Sequence, residues 1–348
     1  MKSKNIVILS AAGSGKTTEL VNKALSIKKE KVLICTYTNE NLEQIRNLIY
    51  KNNKFIPKNL EIMSWYNFLL QECVRPYQNK MGYTNRISSI VWMDSVMQKS
   101  STNSKKRFLK KDQYLTKENN IHRDKISEFA FECNKKTKGL VANRLSSIYE
   151  YIMIDEFQDL SGYDLNLLDV LFETSINITI VGDPRQATFS TNNASKNRQF
   201  RKANILAWIK EREKAKVCSL IEKAECYRCN KTICDMADSL YPEFPKTISK
   251  NTEITGHDCI IKIEKNDVSN YIEQYNPAIL RYDRRTNTLG FNARNIGISK
   301  GLTFDRVLIF PTKSMLKYLE TKDINDIGDR TKFYIAITRA KYSVAFVV

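Results

Sequence analysis

The stretch Ile6-Val-Ile-Leu-Ser-Ala-Ala-Gly-Ser-Gly-Lys-Thr17 lies near the beginning of the chain and decides its fold. An apolar run of strand length is followed by small residues, two glycines and the pair Lys16-Thr17. Between a strand and a helix, backbone N–H groups of such a loop wrap phosphate oxygens at the positive end of the helix. Lys16 is expected to reach the β- and γ-phosphates, and the Thr17 hydroxyl to bind Mg²⁺. Ser10 replaces the usual first glycine, but the context still predicts a phosphate-binding loop.

Two further strands end in polar residues that complete this chemistry. Tyr151-Ile-Met-Ile154 is followed by Asp155-Glu156, and the next apolar strand by Gly182-Asp-Pro-Arg-Gln186. Asp155 is predicted to bind Mg²⁺ beside the loop, and Glu156 to orient or deprotonate an attacking water. Gln186 is placed where it can sense a γ-phosphate. Together with the loop, these residues predict a nucleoside triphosphate hydrolase.

The composition indicates a globular protein that binds a polyanion. The chain has 348 residues, enough for two to three domains, with 42% hydrophobic residues. Lysines and arginines number 56 against 38 acidic residues, a net charge of +18 that favours nucleic acid as partner. The apolar runs are far shorter than a membrane span of about 20 residues. We therefore expect a soluble, cytoplasmic protein with reduced cysteines and no membrane partner.

Short apolar strands alternate with amphipathic helices, which favours a parallel α/β fold in two lobes. Residues 76–145 differ, because they carry fifteen basic and six acidic side chains. This segment is predicted to be an inserted, mostly helical subdomain with a basic loop around Gln98 to Lys111. That loop is either a solvated charged face or a nucleic-acid contact, and the sequence leaves both open.

Four cysteines of the C-terminal half admit two interpretations. They are Cys218, Cys226, Cys229 and Cys234. One interpretation is a zinc or iron–sulfur site, but a second close pair of cysteines is missing. The other, which we favour, is a set of buried or half-exposed thiols.

The blocks Asp155-Glu-Phe-Gln-Asp159 and Val181-Gly-Asp-Pro-Arg-Gln186 resemble motifs II and III of the UvrD/Rep family of superfamily 1 DNA helicases. Six other blocks resemble motif Ia, a degenerate motif Ib, motif IV, the strand after it, motif V and motif VI. In that order they are Thr36-Tyr-Thr-Asn39, Ser64-Trp-Tyr-Asn-Phe68, Cys226-Tyr-Arg-Cys229, Ala278-Ile-Leu-Arg-Tyr282, Ser299-Lys-Gly-Leu-Thr-Phe-Asp305 and Tyr334-Ile-Ala-Ile-Thr-Arg-Ala-Lys341. The resemblance implies two RecA-like lobes, ATP and Mg²⁺ as cofactors, and single-stranded or partly duplex DNA as partner.

The resemblance also assigns residues to roles. Arg228 and Arg339 would be arginine fingers that stabilise charge on the transferring phosphoryl group. Tyr227 would stack on the adenine. The predicted nucleotide-binding residues are Ala12, Gly13, Ser14, Gly15, Lys16, Thr17, Thr18, Tyr227 and Gly301. The predicted DNA-binding residues are Tyr37, Thr38, Asn39, Ser64, Tyr66, Phe189 and Ser299.

The chain departs from the family pattern at several places. A glutamine-containing segment that reads adenine is expected to be absent before the first strand, so we expect relaxed nucleotide choice. Thr191 and Asn192 stand where motif III continues into an aromatic residue and an arginine, and Thr303 stands for a glutamate of motif V. Residues 230–298 leave no room for the large subdomain, called 2B, of UvrD-like helicases. In its Arg75-Pro76 and Tyr227-Arg-Cys229 segments, the chain also resembles the helicase-like subunit of the Gabija antiphage system.

The sequence thus predicts an α/β protein with two RecA-like lobes and a helical insertion. The predicted boundaries are residues 1–75 with 146–214 for the first lobe, 76–145 for the insertion and 215–348 for the second lobe. The predicted function is an ATP-dependent translocase or helicase on single-stranded DNA, moving 3′ to 5′, in DNA repair or antiphage defence. The alternative is an ATP-gated, DNA-sensing regulatory subunit of a nuclease complex without processive unwinding. A small-molecule kinase would leave Arg228, Arg339 and the basic insertion unexplained.

Overall fold

The computed structural model describes residues 4–92 and 113–348, and the predicted basic loop around Gln98 to Lys111 lies outside the described residues. The strands are β1 Ile6–Ser10, β2 Val32–Thr36, β3 Leu60–Ser64, β4 Ile90–Val91, β5 Ile121–His122, β6 Tyr151–Asp155, β7 Asn177–Gly182, β8 Ser219–Lys223, β9 Glu225–Cys226, β10 Ile248–Ser249, β11 Ile260–Ile263, β12 Ala278–Arg281, β13 Arg294–Asn295, β14 Phe304–Phe310 and β15 Ala340–Val347. The helices are α1 Lys16–Ser26, α2 Asn39–Asn53, α3 Trp65–Phe68, α4 Ile126–Lys136, α5 Leu140–Ile148, α6 Tyr163–Phe172, α7 Ile205–Lys214, α8 Lys231–Ser239, α9 Val268–Tyr275, α10 Lys313–Thr321 and α11 Arg330–Ile337. None of the helices in these residues combines the length and apolar character that a membrane span requires.

The larger sheet has six strands in the order β3-β2-β6-β7-β1-β8. Strand β2 pairs in parallel with β3 and β6, and β6 pairs in parallel with β7. All five residues of β2 are buried, as expected for a strand covered on both faces. Helices α1 and α2 pack on this sheet through Val21 and Ile45. The carboxyl ends of β6 and β7 therefore lie side by side, which places Asp155 and Gly182 at one edge.

The smaller sheet has five strands in the order β11-β15-β14-β12-β13, paired in parallel. Helix α11 packs against this sheet and is buried at five successive positions, Phe333 to Ile337. A helix segment buried on all sides has no polar face for solvent, and Thr338 and Arg339, which directly follow α11, are buried as well. The predicted fold class, α/β with two parallel sheets, is confirmed.

The chain forms two compact units. The first unit comprises the N-terminal residues up to Ile8 together with Thr17–Pro184 and Phe189–Ile221, and the second comprises Leu9–Lys16, Arg185–Thr188 and Glu222–Val348. The phosphate loop as far as Lys16 and the last two residues of motif III, Arg185 and Gln186, thus belong to the second unit. The lobe and insertion boundaries predicted from the sequence stay a prediction.

The described part of residues 76–145 contains both helix and strand. Strands β4 and β5 form a short parallel pair, in which Ile90 lies opposite Ile121. Helices α4 and α5 follow, and α4 packs against α6 of the same unit. Trp92 directly follows β4, and Arg123 directly follows β5, both within the first unit.

Candidate nucleotide and nucleic-acid sites

The two predicted Mg²⁺ ligands of the first unit are in contact. The Thr17 hydroxyl donates to Oδ2 of Asp155 over 2.7 Å. The other carboxylate oxygen of Asp155 accepts from the backbone N–H of Glu156 over 2.9 Å, which fixes its orientation. A hydroxyl and a carboxylate are the hard oxygen ligands that Mg²⁺ takes from a protein, with waters completing its octahedron. These two residues therefore fit a magnesium site at the end of β6.

Glu156, the predicted base, is held in a defined position. Its backbone lies in the left-handed region at φ +57°, which is uncommon outside glycine and occurs at active sites. The Gln158 amide donates to the Glu156 carboxylate, while its carbonyl accepts from the Asp183 N–H over 3.1 Å. A Cβ on Gly182 would lie 2.1 Å from that carbonyl, so only glycine permits this approach. Gln158 thus links the ends of β6 and β7 and orients Glu156, a role that the sequence did not predict.

The phosphate loop of the second unit is docked on the motif IV segment. Tyr227 N–H donates to the Gly13 carbonyl over 2.9 Å, and the Ala12 N–H donates to the Tyr334 hydroxyl over 3.4 Å. Gly13 has φ +75°, and a Cβ built there would lie 2.5 Å from Cβ of Arg228. Gly13 is therefore required both for its backbone conformation and for this close approach.

The other loop residues occupy the turn and the start of α1. The Ser14 N–H donates to the Ala11 carbonyl over 3.2 Å, and Gly15 has φ +77° with open space around its Cα. Lys16, Thr17 and Thr18 form the first turn of α1. The helix thus begins directly after the loop, in the arrangement that the sequence predicted.

The predicted arginine fingers lie near each other in the second unit. Arg339 is buried and donates to Gln186 Oε1 over 3.1 Å and to the carbonyls of Leu302 and Ile335 over 3.2 Å each. Arg228 donates to the carbonyl of Thr338, the residue before Arg339, over 3.0 Å. The structure therefore brings together three of the predicted catalytic side chains.

Arg185, next to Gln186, was assigned no role from the sequence. It is buried, pairs with Asp238 of α8 over 3.6 Å, and lies 4.9 Å from the ring centroid of Tyr334. A guanidinium stacked on an aromatic face and paired with a carboxylate is held firmly. Arg185 therefore positions Gln186. In the sequence, Arg185 was visible only as a charged residue inside motif III, and the spacing of apolar residues does not indicate the role of such a residue.

The two remaining nucleotide-binding candidates are accessible. Tyr227 is 60% exposed, and its hydroxyl donates to Glu225 over 2.9 Å, so its ring is available for stacking. Gly301 is half-buried with φ +86° in the turn before β14. Both positions remain predictions.

The DNA-binding candidates divide into exposed and buried residues. Asn39 and Phe189 are exposed and Tyr37 is half-buried. Three other side chains serve the fold: the Thr38 and Ser64 hydroxyls cap α2 and α3, and the fully buried Ser299 hydroxyl donates to the Ile296 carbonyl over 2.7 Å. A hydroxyl used in a cap has its lone pairs directed at the backbone.

Four aromatic rings of the first unit form one group, which we call the aromatic surface: Tyr37, Tyr66, Trp92 and Phe189. The centroid of Tyr37 lies 5.6 Å from that of Tyr66 and 6.1 Å from that of Phe189. Tyr66 is buried, donates to the Thr191 carbonyl over 2.6 Å and supports the more exposed rings. Rings of this kind are the side chains on which unpaired bases stack.

Asp164 of α6 is the centre of a buried network beneath that surface. Its carboxylate accepts hydrogen bonds from Trp65 Nε1 over 2.7 Å, from Asn192 over 3.2 Å, and from the hydroxyls of Ser127 and Thr191. Burial raises the pKa of Asp164, and these hydrogen bonds act in the opposite direction. Thr191 and Asn192, which depart from the family pattern, therefore stabilise a buried carboxylate.

The cysteines of motif IV are buried thiols. The Cys229 N–H donates to Cys226 Sγ over 3.3 Å, and the Cys234 thiol donates to the Cys229 carbonyl over 3.6 Å. Hydrogen bonds from the thiols of Cys229 and Cys234 lower the pKa of Cys226. Within residues 4–92 and 113–348, no cluster of three or more histidine, cysteine or acidic residues has the arrangement of a metal site.

Comparison with known proteins agrees with these observations. Residues 49–216 match the family model of the UvrD/REP helicase N-terminal domain. The ATP-dependent DNA helicase Rep of Buchnera aphidicola subsp. Schizaphis graminum is 23% identical over 241 residues, which cover 56% of this chain and 37% of that protein. A probable DNA helicase II homolog of Mycoplasma capricolum subsp. capricolum is 23% identical over 242 residues, 54% of this chain and 33% of that protein. The chain therefore spans about a third of the length of these curated relatives.

Solved structures show the same fold. Arterivirus nonstructural protein 10, a helicase, matches with a TM-score of 0.51 and 14% identity over 99% of this chain and 60% of that chain. The same helicase in complex with DNA matches with a TM-score of 0.52, 15% identity and similar coverage. At such identities the likeness shows the fold alone. By these matches the chain has a helicase-like α/β fold and is similar to the UvrD/Rep group of superfamily 1 DNA helicases, over the part that carries the N-terminal domain of that family.

Proposed function

We propose that this protein is an ATP-dependent translocase on single-stranded DNA. The observation that carries the proposal is the contact between Thr17 and Asp155 at the end of β6, with Glu156 as the next residue. It is the arrangement that a magnesium–nucleotide complex requires, and it lies in a chain similar to DNA helicases. The net charge of +18 suits a nucleic-acid partner.

In the proposed reaction, Thr17 and Asp155 would hold Mg²⁺, and the ion would supply positive charge to the phosphate oxygens of ATP. Glu156, oriented by Gln158, accepts the proton of the attacking water. Arg339 and Gln186 contact one another, and we assign Arg339 to the charge that develops on the transferring phosphoryl group. Arg228 shares this role, because its guanidinium is fixed on the backbone beside Arg339.

The aromatic surface is the proposed path of the DNA strand. Phe189 is exposed and Tyr37 is half-buried, and the Tyr37 ring contacts both Phe189 and the buried Tyr66. Bases stacked on such rings gain roughly 1–3 kcal/mol each with little dependence on sequence. Movement from 3′ to 5′ and a role in DNA repair or antiphage defence are part of this proposal and rest on the family resemblance.

Single-turnover translocation tests the proposal. The full chain is loaded on a strand labelled at its 5′ end, and a fluorescence change is followed after ATP is added. A lag that grows in proportion to strand length is expected for a translocase. DNA-stimulated ATP hydrolysis without such a lag would contradict translocation and favour the alternative below.

The alternative is an ATP-gated, DNA-sensing regulatory subunit of a nuclease complex. The observation that favours it is the connection between motifs IV and V, residues 230–298, which is occupied by helices α8 and α9 and short strands of the second unit. A strand-separating subdomain has no place there. Affinity purification of the native protein distinguishes the two, because the alternative requires a nuclease that copurifies in stoichiometric amount.

A further inference from the structure

We propose that Trp92, the residue directly after β4, is a base-stacking residue of the single-stranded DNA site. The inference rests on the proposed function and extends the aromatic surface beyond the residues that motifs identify. Trp92 lies in no motif of the sequence and was not among the predicted DNA-binding residues.

Exposure is the first argument. Trp92 follows β4 and leaves 59% of its surface in solvent. A large aromatic side chain gains stability from burial, and an exposed one that adjoins other aromatic rings, as Trp92 adjoins Tyr66, is typical of an interaction surface. The other two tryptophans differ from it: Trp65 is 1% exposed and Trp208 is fully buried.

Position is the second argument. The Trp92 and Tyr66 ring centroids are 5.0 Å apart, and their planes meet at 83°, an edge-to-face contact. Tyr66 is itself fixed by its hydrogen bond to the Thr191 carbonyl and by contact with Tyr37. Trp92 thus contacts Tyr66, which also contacts Tyr37, a ring of the proposed DNA path. The two planes are nearly perpendicular, so Tyr66 can cover at most one face of the indole and the opposite face is not stacked on it.

A nearby cation is the third argument. Arg123, next to β5, is ion-paired with Asp124 over 3.0 Å and lies close enough for its positive charge to lower the pKa of both Tyr37 and Tyr66, against the larger effect of burial and the opposing effect of Asp164. An aromatic group beside a guanidinium suits a base with its attached phosphate better than an apolar protein segment. Unpaired bases offer faces for stacking, whereas the faces of paired bases are covered by their neighbours.

Tryptophan emission gives a direct test. Since Trp65 and Trp208 are buried, a change in emission on binding DNA reports mainly on Trp92. The full chain is titrated with a fluorescein-labelled oligothymidine of about 16 nucleotides, a length of the order of one single-strand site. Label anisotropy measures binding, and tryptophan emission of the same protein is measured with an unlabelled strand of equal length.

The wild-type emission is expected to be quenched with the same Kd as the anisotropy change. Trp92→Phe should bind within about twofold of wild type without quenching, because phenylalanine keeps a stacking face. Trp92→Ala should bind about tenfold more weakly, equivalent to about 1.4 kcal/mol. Phe55→Ala, which removes a 62% exposed ring of the same unit, is the matched control and should leave Kd unchanged.

The outcomes separate this inference from the proposed function. Binding by anisotropy without a change in emission overturns the role of Trp92 and leaves the proposed function intact, as does wild-type affinity in a folded Trp92→Ala variant. Absence of binding by wild-type protein overturns both. Equal quenching by a blunt duplex overturns stacking on unpaired bases.

Discussion

Each compact unit contains a buried charged side chain, Asp164 in the first and Arg339 in the second, and the two differ in the groups they contact. Asp164 of the first unit accepts hydrogen bonds from side chains of α3, α4 and the motif III segment. Arg339 of the second unit donates to two backbone carbonyls and to Gln186, a side chain predicted to sense phosphate. Asp164 joins elements of the fold, while Arg339 contacts Gln186, for which we propose a role at the nucleotide. We infer that Asp164 serves stability and Arg339 serves chemistry.

The largest expected effect is on turnover in Arg339→Lys. Lysine keeps the positive charge and much of the volume but loses the planar donor geometry of the guanidinium. We expect kcat for ATP to fall on the order of 10³-fold, the lower end for an arginine finger, in a variant that is less stable but still folded at the assay temperature. Arg285→Lys, a change at an exposed arginine paired with Asp283 of its own turn, is the control. A kcat within tenfold of wild type would contradict the role of Arg339.

The next effect is on stability at Asp164. In Asp164→Ala, several buried donors lose their acceptor, which is expected to lower the free energy of unfolding by about 3 kcal/mol. Asp164→Asn should cost less, because its carbonyl still accepts from part of the network. Urea unfolding measures both. If Asp164→Ala unfolds like wild type, or both variants lose ATP turnover while remaining stable, the comparison with Arg339 is wrong.

The pH dependence of the free energy of unfolding also tests the role of Asp164 in stability. Burial raises the pKa of Asp164 above 3.8 in the folded protein. An acid with a raised folded pKa stabilises the protein below its unfolded pKa, and this contribution is lost as pH rises through the folded pKa. The stability of wild type relative to Asp164→Asn should therefore decline from pH 3.8 upwards until the raised pKa is passed. A relative stability that increases over this range would mean that the hydrogen bonds outweigh burial.

A smaller effect concerns the surroundings of Arg228 in the second unit. Gly13 and Gly15 have nearly the same positive φ, so alanine is strained at both, by about 1–2 kcal/mol. Only at Gly13 does the added Cβ also meet Arg228. Without nucleotide, Gly13→Ala should therefore be less stable than Gly15→Ala, by about 1 kcal/mol. Equal stabilities in thermal or urea unfolding would show that the loop does not dock on the motif IV segment in solution.

The sequence predicted the parts of the site whose chemistry is local. A phosphate loop has its glycines and Lys16-Thr17 in succession, and Asp155 is the last residue of the apolar strand β6. Neighbouring residues in the chain were therefore enough to predict both. Asp164 and Trp92 depend on contacts between segments far apart in the chain, which no period or spacing encodes. The hint for Asp164 was an acidic residue among the leucines of α6, yet its partners Trp65 and Thr191 become visible only in the folded chain.

The burial of several predicted DNA-binding residues has the same origin. Ser299 and Tyr66 were predicted by the resemblance of their motifs, but the structure buries both side chains. A motif records which residues occur together, and it does not distinguish a side chain that contacts a ligand from one that holds the contacting loop. The hydroxyl of Tyr66, bonded to Thr191, is an example of the second kind.

Steady-state ATP hydrolysis with and without single-stranded DNA tests the central claim most directly, using wild type and Glu156→Gln side by side. Glutamine keeps the shape of Glu156 but no longer accepts a proton from water. The account predicts that DNA increases wild-type turnover, and that Glu156→Gln binds ATP with wild-type affinity while its turnover falls by about 10²–10⁴-fold. Turnover close to wild type in Glu156→Gln, or wild-type hydrolysis unaffected by DNA, would contradict it.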